Sequence, residues 1–143
     1  MVSTLSATCA LDLLAHHQHS FIDVRSEIEF TSGSIPGFVN SPVLHDEERH
    51  AVGLCYRQNG QDAAIELGHR LVDPTRPQRV AKWLDIATAQ KQNPLLISCW
   101  RGGLRSRITA SWIAETGREL LRTEGGYKGM RLELLRVLSE PPP

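Results

Sequence analysis

Cys99 is the residue of this sequence best placed to act as a nucleophile, because of what surrounds it. It follows a short apolar run, residues 95–98, and precedes Trp-Arg-Gly-Gly-Leu-Arg, residues 100–105. An apolar run of this length after Pro94 predicts a buried strand. Cys99 is therefore expected at the carboxyl end of a strand, the edge at which α/β sheets bind their ligands.

The residues after Cys99 favour an ionised thiol, which is the reactive form of cysteine. Arg101 and Arg105 bring positive charge, and a helix predicted over 106–115 points unpaired N–H groups at the same place. Glycines let backbone amides converge on an anion. We expect a partly exposed thiol at the base of an oxyanion pocket. The segment that lines this pocket consists of Trp100, Arg101, Gly102, Gly103, Leu104 and Arg105.

A small buried residue at a strand end is the alternative interpretation of Cys99, and it suits most isolated cysteines. Two arginines and two glycines in the next six positions favour the nucleophile, because a structural cysteine has no use for them. Cys55 has two interpretations as well. It either resolves a persulfide on Cys99 or packs on the apolar face of a helix.

Short apolar segments alternate with helical ones along the whole chain. Strands are predicted at 21–24, 38–39, 95–98 and 120–123, and helices at 10–17, 26–31, 45–56, 63–72, 79–90, 106–115 and 127–138. This alternation predicts an α/β fold, with a small parallel sheet flanked by helices. The stretch between about residues 40 and 94 is expected to be a helical insertion.

The composition limits the classes of partner. The 143 residues carry 16 Lys plus Arg against 16 Asp plus Glu, and this neutral total argues against a general binder of nucleic acid or anionic membranes. The charge is uneven: residues 1–50 hold seven acidic and two basic side chains, whereas residues 51–143 hold nine and fourteen. Three cysteines without a CxxC, and no export signal or spanning segment, predict a reducing, cytoplasmic location.

Three segments resemble the rhodanese superfamily, and they occur in the family's order. IDVRSEIEFTSGSIPGFVN (Ile22–Asn40) resembles its first signature, CWRGGLRS its active-site loop, and EGGYKGM (Glu124–Met130) its closing Gly-Gly segment. The resemblance implies a rhodanese-like domain over residues 1–140. It also implies that Cys99 accepts sulfur or selenium, as a persulfide or perselenide, and passes it on.

Two features narrow the resemblance to one group within the rhodanese superfamily. The loop is C-x5-R, one residue longer than in ordinary single-domain rhodaneses, and the stretch between Asn40 and Pro94, which includes Asp46–Val72, exceeds the short connection expected. Both are similar to the N-terminal rhodanese domain of bacterial tRNA 2-selenouridine synthases. That likeness implies selenophosphate as selenium donor, with no bound cofactor. It also implies a tRNA substrate with wobble 2-thiouridine or its geranylated form. A P-loop domain follows in that family, and no GxxxxGK[ST] motif occurs in these residues.

Asp23, Arg25 and Ser106 are supporting residues in this scheme, and no metal ligand set is expected. We favour a structural role for Asp23 and Arg25, which would lock the strand to the active loop. Trp100 either stacks on a flipped-out base or packs the loop.

Other function classes share parts of the pattern. A C-x5-R loop is also found in cysteine-dependent phosphatases, including rhodanese-like ones, but these usually carry His before the cysteine, where this chain has Ser98. A generic thiosulfate sulfurtransferase and a catalytically idle interaction module are the remaining alternatives.

Overall fold

The computed structural model describes residues 3–16, 19–88, 95–101 and 103–139. Within these ranges, five strands form one sheet: β1 (Ser3–Leu5), β2 (Phe21–Asp23), β3 (Val39–Asn40), β4 (Leu95–Ser98) and β5 (Leu120–Thr123). All of the paired strands are parallel, and their order is β1-β5-β4-β2-β3. The predicted α/β class with a parallel sheet is confirmed.

Helices connect the strands in the described part of the chain. They are α1 (Ala7–Ala15), α2 (Glu27–Ser32), α3 (Asp46–Asn59), α4 (Gln61–Val72), α5 (Arg76–Ala87), α6 (Leu104–Ala114) and α7 (Gly126–Ser139), with a 3-10 turn at Asp73–Thr75. The segment between β3 and β4 contains α3, α4 and α5. The predicted ends of two helices, at His17 and Gln90, lie outside the described residues.

The central strand β4 is buried on both faces, as expected for a parallel sheet covered by helices. Leu95 and Ile97 join one apolar cluster, whereas Leu96 joins the other, as the two-residue period of a strand requires. Trp83 of α5 is fully buried in the first cluster, and its indole N–H donates to the Ser41 carbonyl over 2.8 Å.

One strand was missed, and several predicted helix boundaries were wrong, among them the starts of α1 and α6. The strand β1 was missed because it is a three-residue edge strand with mostly exposed side chains, so it has no apolar run. The Ser6 hydroxyl accepts from the Cys9 N–H over 3.2 Å and caps α1, which therefore begins at Ala7 rather than Ala10. The helix α6 begins at Leu104, two residues before its predicted start.

Three strands end at one edge of the sheet, with Asp23, Ser98 and Thr123 as their last residues. The turn after β5 has two glycines with positive φ, Gly125 at 71° and Gly126 at 56°, a conformation that glycine adopts at little cost. This turn directs the chain back beneath the segment that follows β4. No helix among the described residues has the length and apolar character needed to cross a bilayer.

Candidate functional site

The segment after β4 is held by the first turn of α7. The Cys99 carbonyl accepts the Tyr127 N–H over 2.7 Å, and the Trp100 carbonyl accepts the Lys128 N–H over 2.9 Å. These bonds use two N–H groups at the start of α7 that have no partner inside the helix. The backbone position of Cys99 is therefore fixed by the Gly-Gly turn.

The Cys99 side chain lies at the start of α6. Its Sγ donates to the Ser106 Oγ over 3.2 Å, and the Ser106 hydroxyl donates to the Gly103 carbonyl over 3.2 Å. Ser106 belongs to the first turn of α6, at the positive end of the helix dipole. The structure thus brings together Cys99 and the predicted supporting residue Ser106.

The prediction of a partly exposed thiol was wrong, because Cys99 is 2% exposed. The residue packs in the apolar cluster that includes Ile97 and Ala110. A residue at a strand end is covered when the following helix starts early, and α6 starts at Leu104. The candidate nucleophile is therefore both a core residue and a residue at the carboxyl edge of the sheet.

The rest of the predicted pocket lies near the surface. Arg101, Gly103 and Leu104 are exposed, and Gly102 lies outside the described residues. Trp100 is 37% exposed, and its ring centroid lies 5.6 Å from that of Tyr127. Trp100 thus packs against Tyr127, the residue that holds the Cys99 loop, while part of the Trp100 ring stays accessible.

Arg105 is paired with a carboxylate rather than facing an anion pocket. Its two terminal nitrogens donate to the Glu29 carboxylate over 2.6 and 3.2 Å. Arg49 adds a contact of 3.1 Å to the same carboxylate, and the backbone N–H and hydroxyl of Ser26 donate to it over 3.1 Å each. Arg105 was expected to hold an oxyanion, but its two terminal nitrogens are occupied by a bidentate pair with the Glu29 carboxylate.

The Glu29–Arg105 pair shifts the pKa of both groups. Burial raises the pKa of Glu29, but the hydrogen bonds and charge of Arg105, with those of Ser26 and Arg49, outweigh it and hold the pKa at about 2. Burial lowers the pKa of Arg105, but Glu29, with smaller effects of Cys99 and Asp23, raises it above its ordinary value. Both groups are charged over the whole physiological range of pH.

Asp23 and Arg25 form a buried ion pair at the end of β2. The Arg25 Nε donates to both Asp23 oxygens over 3.1 and 2.9 Å, and the Asp23 carboxylate also accepts the Arg25 backbone N–H over 3.0 Å. Arg25 is 1% exposed. The Asn40 side chain donates to the carbonyls of both residues over 3.0 and 2.9 Å.

Arg25 also connects β2 to the Cys99 loop. Its guanidinium carbon lies 3.8 Å from the centroid of the Tyr127 ring and 5.9 Å from that of Trp100. Its terminal nitrogen donates to the Gly33 carbonyl over 2.8 Å. These contacts agree with the structural role favoured for Asp23 and Arg25.

Glu29 and Tyr127 organise the site, yet neither was singled out as a site residue. Each lies within a segment that was recognised: Glu29 belongs to the first signature segment, Ile22–Asn40, and Tyr127 belongs to the closing Gly-Gly segment, Glu124–Met130. The described residues contain no group of three or more His, Cys, Asp or Glu side chains placed to hold a metal ion.

The sheet order and the cysteine loop at the carboxyl edge define a rhodanese-like fold. A rhodanese-related protein from Thermoplasma volcanium superposes with a TM-score of 0.55 at 16% identity, over 92% of each chain. A human single-domain sulfurtransferase gives a TM-score of 0.53 at 23% identity, over 93% of this chain and 97% of that one. No family model matches the chain.

More similar proteins are tRNA 2-selenouridine synthases. The one from Shewanella sediminis is 47% identical over 125 residues, and the one from Cupriavidus pinatubonensis is 50% identical over 121 residues. These matches cover 87% and 83% of this chain but 33% and 32% of the relatives, so the chain spans about a third of their length. The resemblance noted in the sequence is confirmed.

A solved structure of similar extent is the N-terminal domain of a putative ATP/GTP binding protein from Clostridium difficile. It superposes with a TM-score of 0.82 at 28% identity, over 93% of this chain and 99% of that domain.

Replacing Glu29 by glutamine tests the Arg105 pair. A carboxyl with its pKa lowered from 4.5 to about 2 stabilises the fold above pH 4.5, and this contribution is lost as the pH falls toward 2. The shift corresponds to about 3 kcal/mol. We expect Glu29→Gln to remove that part of the acid dependence in urea unfolding curves, relative to Glu27→Gln, a half-exposed control in the same helix. Equal acid dependence of the two variants would contradict the pairing.

Removing one partner of the Asp23–Arg25 pair tests its structural role. Arg25→Met leaves a buried carboxylate without its cation, and we expect a loss of about 3–5 kcal/mol in the free energy of unfolding. Adding Asp23→Asn removes the uncompensated charge, so the double variant should be more stable than Arg25→Met alone. A single variant within about 1 kcal/mol of the wild type would show that the pair does not hold the site together.

Proposed function

We propose that the chain is the sulfur- and selenium-transferring domain of a tRNA 2-selenouridine synthase, with Cys99 as its reactive residue. The observation that carries this proposal is the position of the Cys99 thiol. Cys99 lies at the carboxyl end of β4, and its thiol is hydrogen-bonded to Ser106 at the start of α6. The identity of 47–50% to enzymes of that name supports the choice within the rhodanese-like fold.

Sulfur transfer follows from this geometry in two balanced steps. The Cys99 thiolate attacks the outer sulfur of a donor such as thiosulfate, the S–S bond breaks, and sulfite leaves with the bonding electron pair. An acceptor then attacks the terminal sulfur of the persulfide and regenerates the thiolate. The dipole of α6 and the Ser106 hydroxyl stabilise the thiolate in both steps.

Selenophosphate is the proposed selenium donor, and its chemistry needs no net oxidation. Its selenium is at the level of selenide, so selenium can replace the sulfur on C2 of the uridine without an oxidant. The C2–S bond breaks and the sulfur leaves as the geranylthiolate of the geranylated form, or as hydrosulfide from 2-thiouridine, while water attacks phosphorus, the P–Se bond breaks and phosphate is released. The backbone amides of residues 100–105 and the exposed Arg101 would bind the phosphate oxygens. Arg105 keeps its contact with Glu29 and shapes the loop.

The tRNA substrate is proposed to carry wobble 2-thiouridine or its geranylated form. A full-length enzyme would add the P-loop domain expected from the sequence resemblance, and a cytoplasmic location fits a tRNA substrate. Trp100, which keeps part of its ring accessible above Tyr127, is the proposed stacking surface for the base.

Replacing Cys99 by serine tests the reactive residue. We expect thiosulfate:cyanide sulfurtransfer, measured as thiocyanate formed, to fall by at least about a hundredfold, because the variant has no sulfur to carry. Cys55→Ser is the matched control and should retain the activity. Transfer that persists in Cys99→Ser would refute the proposal, and phosphate release from a phosphate ester by the wild type, without sulfurtransfer, would favour the phosphatase alternative.

Replacing Trp100 by alanine tests the proposed base contact. Stacking of a base on an aromatic ring contributes about 1–3 kcal/mol, so binding of an anticodon stem-loop should weaken by roughly fivefold to a hundredfold. Trp100→Phe keeps a ring at this position and is expected to bind nearly as the wild type. Equal affinities of the alanine variant and the wild type would restrict Trp100 to packing.

A further inference from the structure

Two exposed basic residues of α7 lie next to Trp100. The Lys128 N–H donates to the Trp100 carbonyl over 2.9 Å, which places Lys128 directly beside the cysteine loop. Arg131 follows three positions later on the same helix, so its Cβ lies about 5–6 Å from that of Lys128. Both side chains are exposed. Lys128 and Arg131 form the α7 strip.

The charges of the α7 strip are not neutralised by the carboxylates next to it in sequence, because these have other partners. Glu124 accepts the Thr4 hydroxyl over 3.1 Å, and Glu133 pairs with Arg136 over 2.7 Å. Within the described part of the chain, no carboxylate forms an ion pair with either residue of the strip. The α7 strip therefore presents two positive charges to solvent at the carboxyl edge of the sheet.

A second group of basic residues, on α4 and α5, differs in this respect. Its three arginines each form an ion pair, and the pairs are Arg70–Glu66, Arg76–Glu115 and Arg79–Glu48, at 3.7, 2.6 and 2.8 Å. A polyanion would have to compete with a carboxylate for each of these arginines. The α7 strip offers its charge without that competition, so it is the better candidate for binding an anionic partner.

A partly exposed aromatic ring beside exposed cations suits single-stranded RNA. Proteins that bind single strands combine basic side chains along the backbone with aromatic rings on which bases stack. Trp100, which is 37% exposed, offers the ring, and the α7 strip offers the cations. The bond between the Lys128 N–H and the Trp100 carbonyl fixes the two backbones relative to each other. A base stacked on Trp100 therefore has its own backbone close to the strip.

We propose that Lys128 and Arg131 bind backbone phosphates of the RNA strand whose base stacks on Trp100. The identification of that strand as the anticodon loop of a tRNA rests on the proposed function. The contact with phosphates does not, because it follows from exposed charge beside an exposed ring. Two such contacts supply little affinity for nucleic acid in general, which agrees with the neutral total charge of the chain. The α7 strip thus orients a strand that Trp100 also holds.

The salt dependence of binding to a synthetic anticodon stem-loop tests the α7 strip. Each phosphate contact with a single strand contributes about −0.7 to the slope of the logarithm of the binding constant against that of the salt concentration. We expect Lys128→Ala and Arg131→Ala each to make the slope shallower by about 0.7 and to weaken binding about fivefold at 0.1 M salt. The double variant should lose both contributions. Slopes equal to that of the wild type would overturn the proposal.

Matched variants separate these contacts from general charge attraction. Lys82→Ala and Arg57→Ala remove exposed cations from α5 and α3 and should leave the slope unchanged. Trp100→Ala should weaken binding equally at all salt concentrations, because stacking releases no counterions. Lys128→Arg and Arg131→Lys keep the charge and should bind nearly as the wild type. A loss in the α5 and α3 variants as large as in the strip variants would overturn the proposal.

Anionic vesicles and sulfurtransfer assays separate the remaining outcomes. Binding to phosphatidylserine vesicles that is lost in the strip variants, with unchanged binding of the stem-loop, would assign the strip to a membrane and overturn the proposal. A wild type that is active in sulfurtransfer but does not bind the stem-loop through the strip overturns the proposal and leaves the proposed function standing. A slope that becomes shallower in the strip variants, with sulfurtransfer that persists in Cys99→Ser, overturns the proposed function and leaves the strip as an RNA-binding surface.

Discussion

The guanidinium of Arg25 is a buried charge, and the arrangement of the site depends on satisfying it. An ionised group inside a protein costs several kcal/mol unless it is paired and hydrogen-bonded. Its partners come from separate parts of the chain: the carboxylate of Asp23, the carbonyl of Gly33 and the face of the Tyr127 ring. Meeting this requirement fixes the end of β2, the end of α2 and the start of α7 relative to one another.

The position of Cys99 follows from that arrangement. Tyr127 contacts Arg25 through its ring and holds the Cys99 carbonyl through its backbone N–H. Tyr127 therefore couples the position of the buried Asp23–Arg25 pair to the position of the Cys99 loop. Among the residues that the structure describes, the thiol's hydrogen-bond partner is Ser106, at the positive end of α6.

The uneven distribution of charge along the sequence has a structural counterpart at this edge. Glu29 belongs to the acidic first part of the chain, and Arg105 to the basic remainder; the two pair across 76 residues. The arginines near the Cys99 sulfur thus act on the loop through their ion pairs with carboxylates. Arg101, in contrast, is exposed and places its charge in solvent. The Glu29–Arg105 pair thus joins the acidic first part of the chain to its basic remainder at this edge.

The sequence was sufficient for features that depend on local pattern. The apolar run before Cys99 predicted β4, the alternation of strands and helices predicted the parallel sheet, and the spacing of Asp23 and Arg25 was compatible with a structural pair. Burial of Cys99 was not predictable in this way, because it depends on where α6 begins. The Glu29–Arg105 pair was missed for a similar reason, since a contact between distant segments leaves no local periodicity.

The most direct test of the account is mass spectrometry of the wild-type protein after treatment with thiosulfate. We expect the protein to gain one sulfur atom, peptide mapping to place this atom on Cys99, and cyanide to remove it. A sulfur atom found on Cys9 or Cys55 with Cys99 unmodified would show that the buried thiol at the start of α6 is not the reactive one.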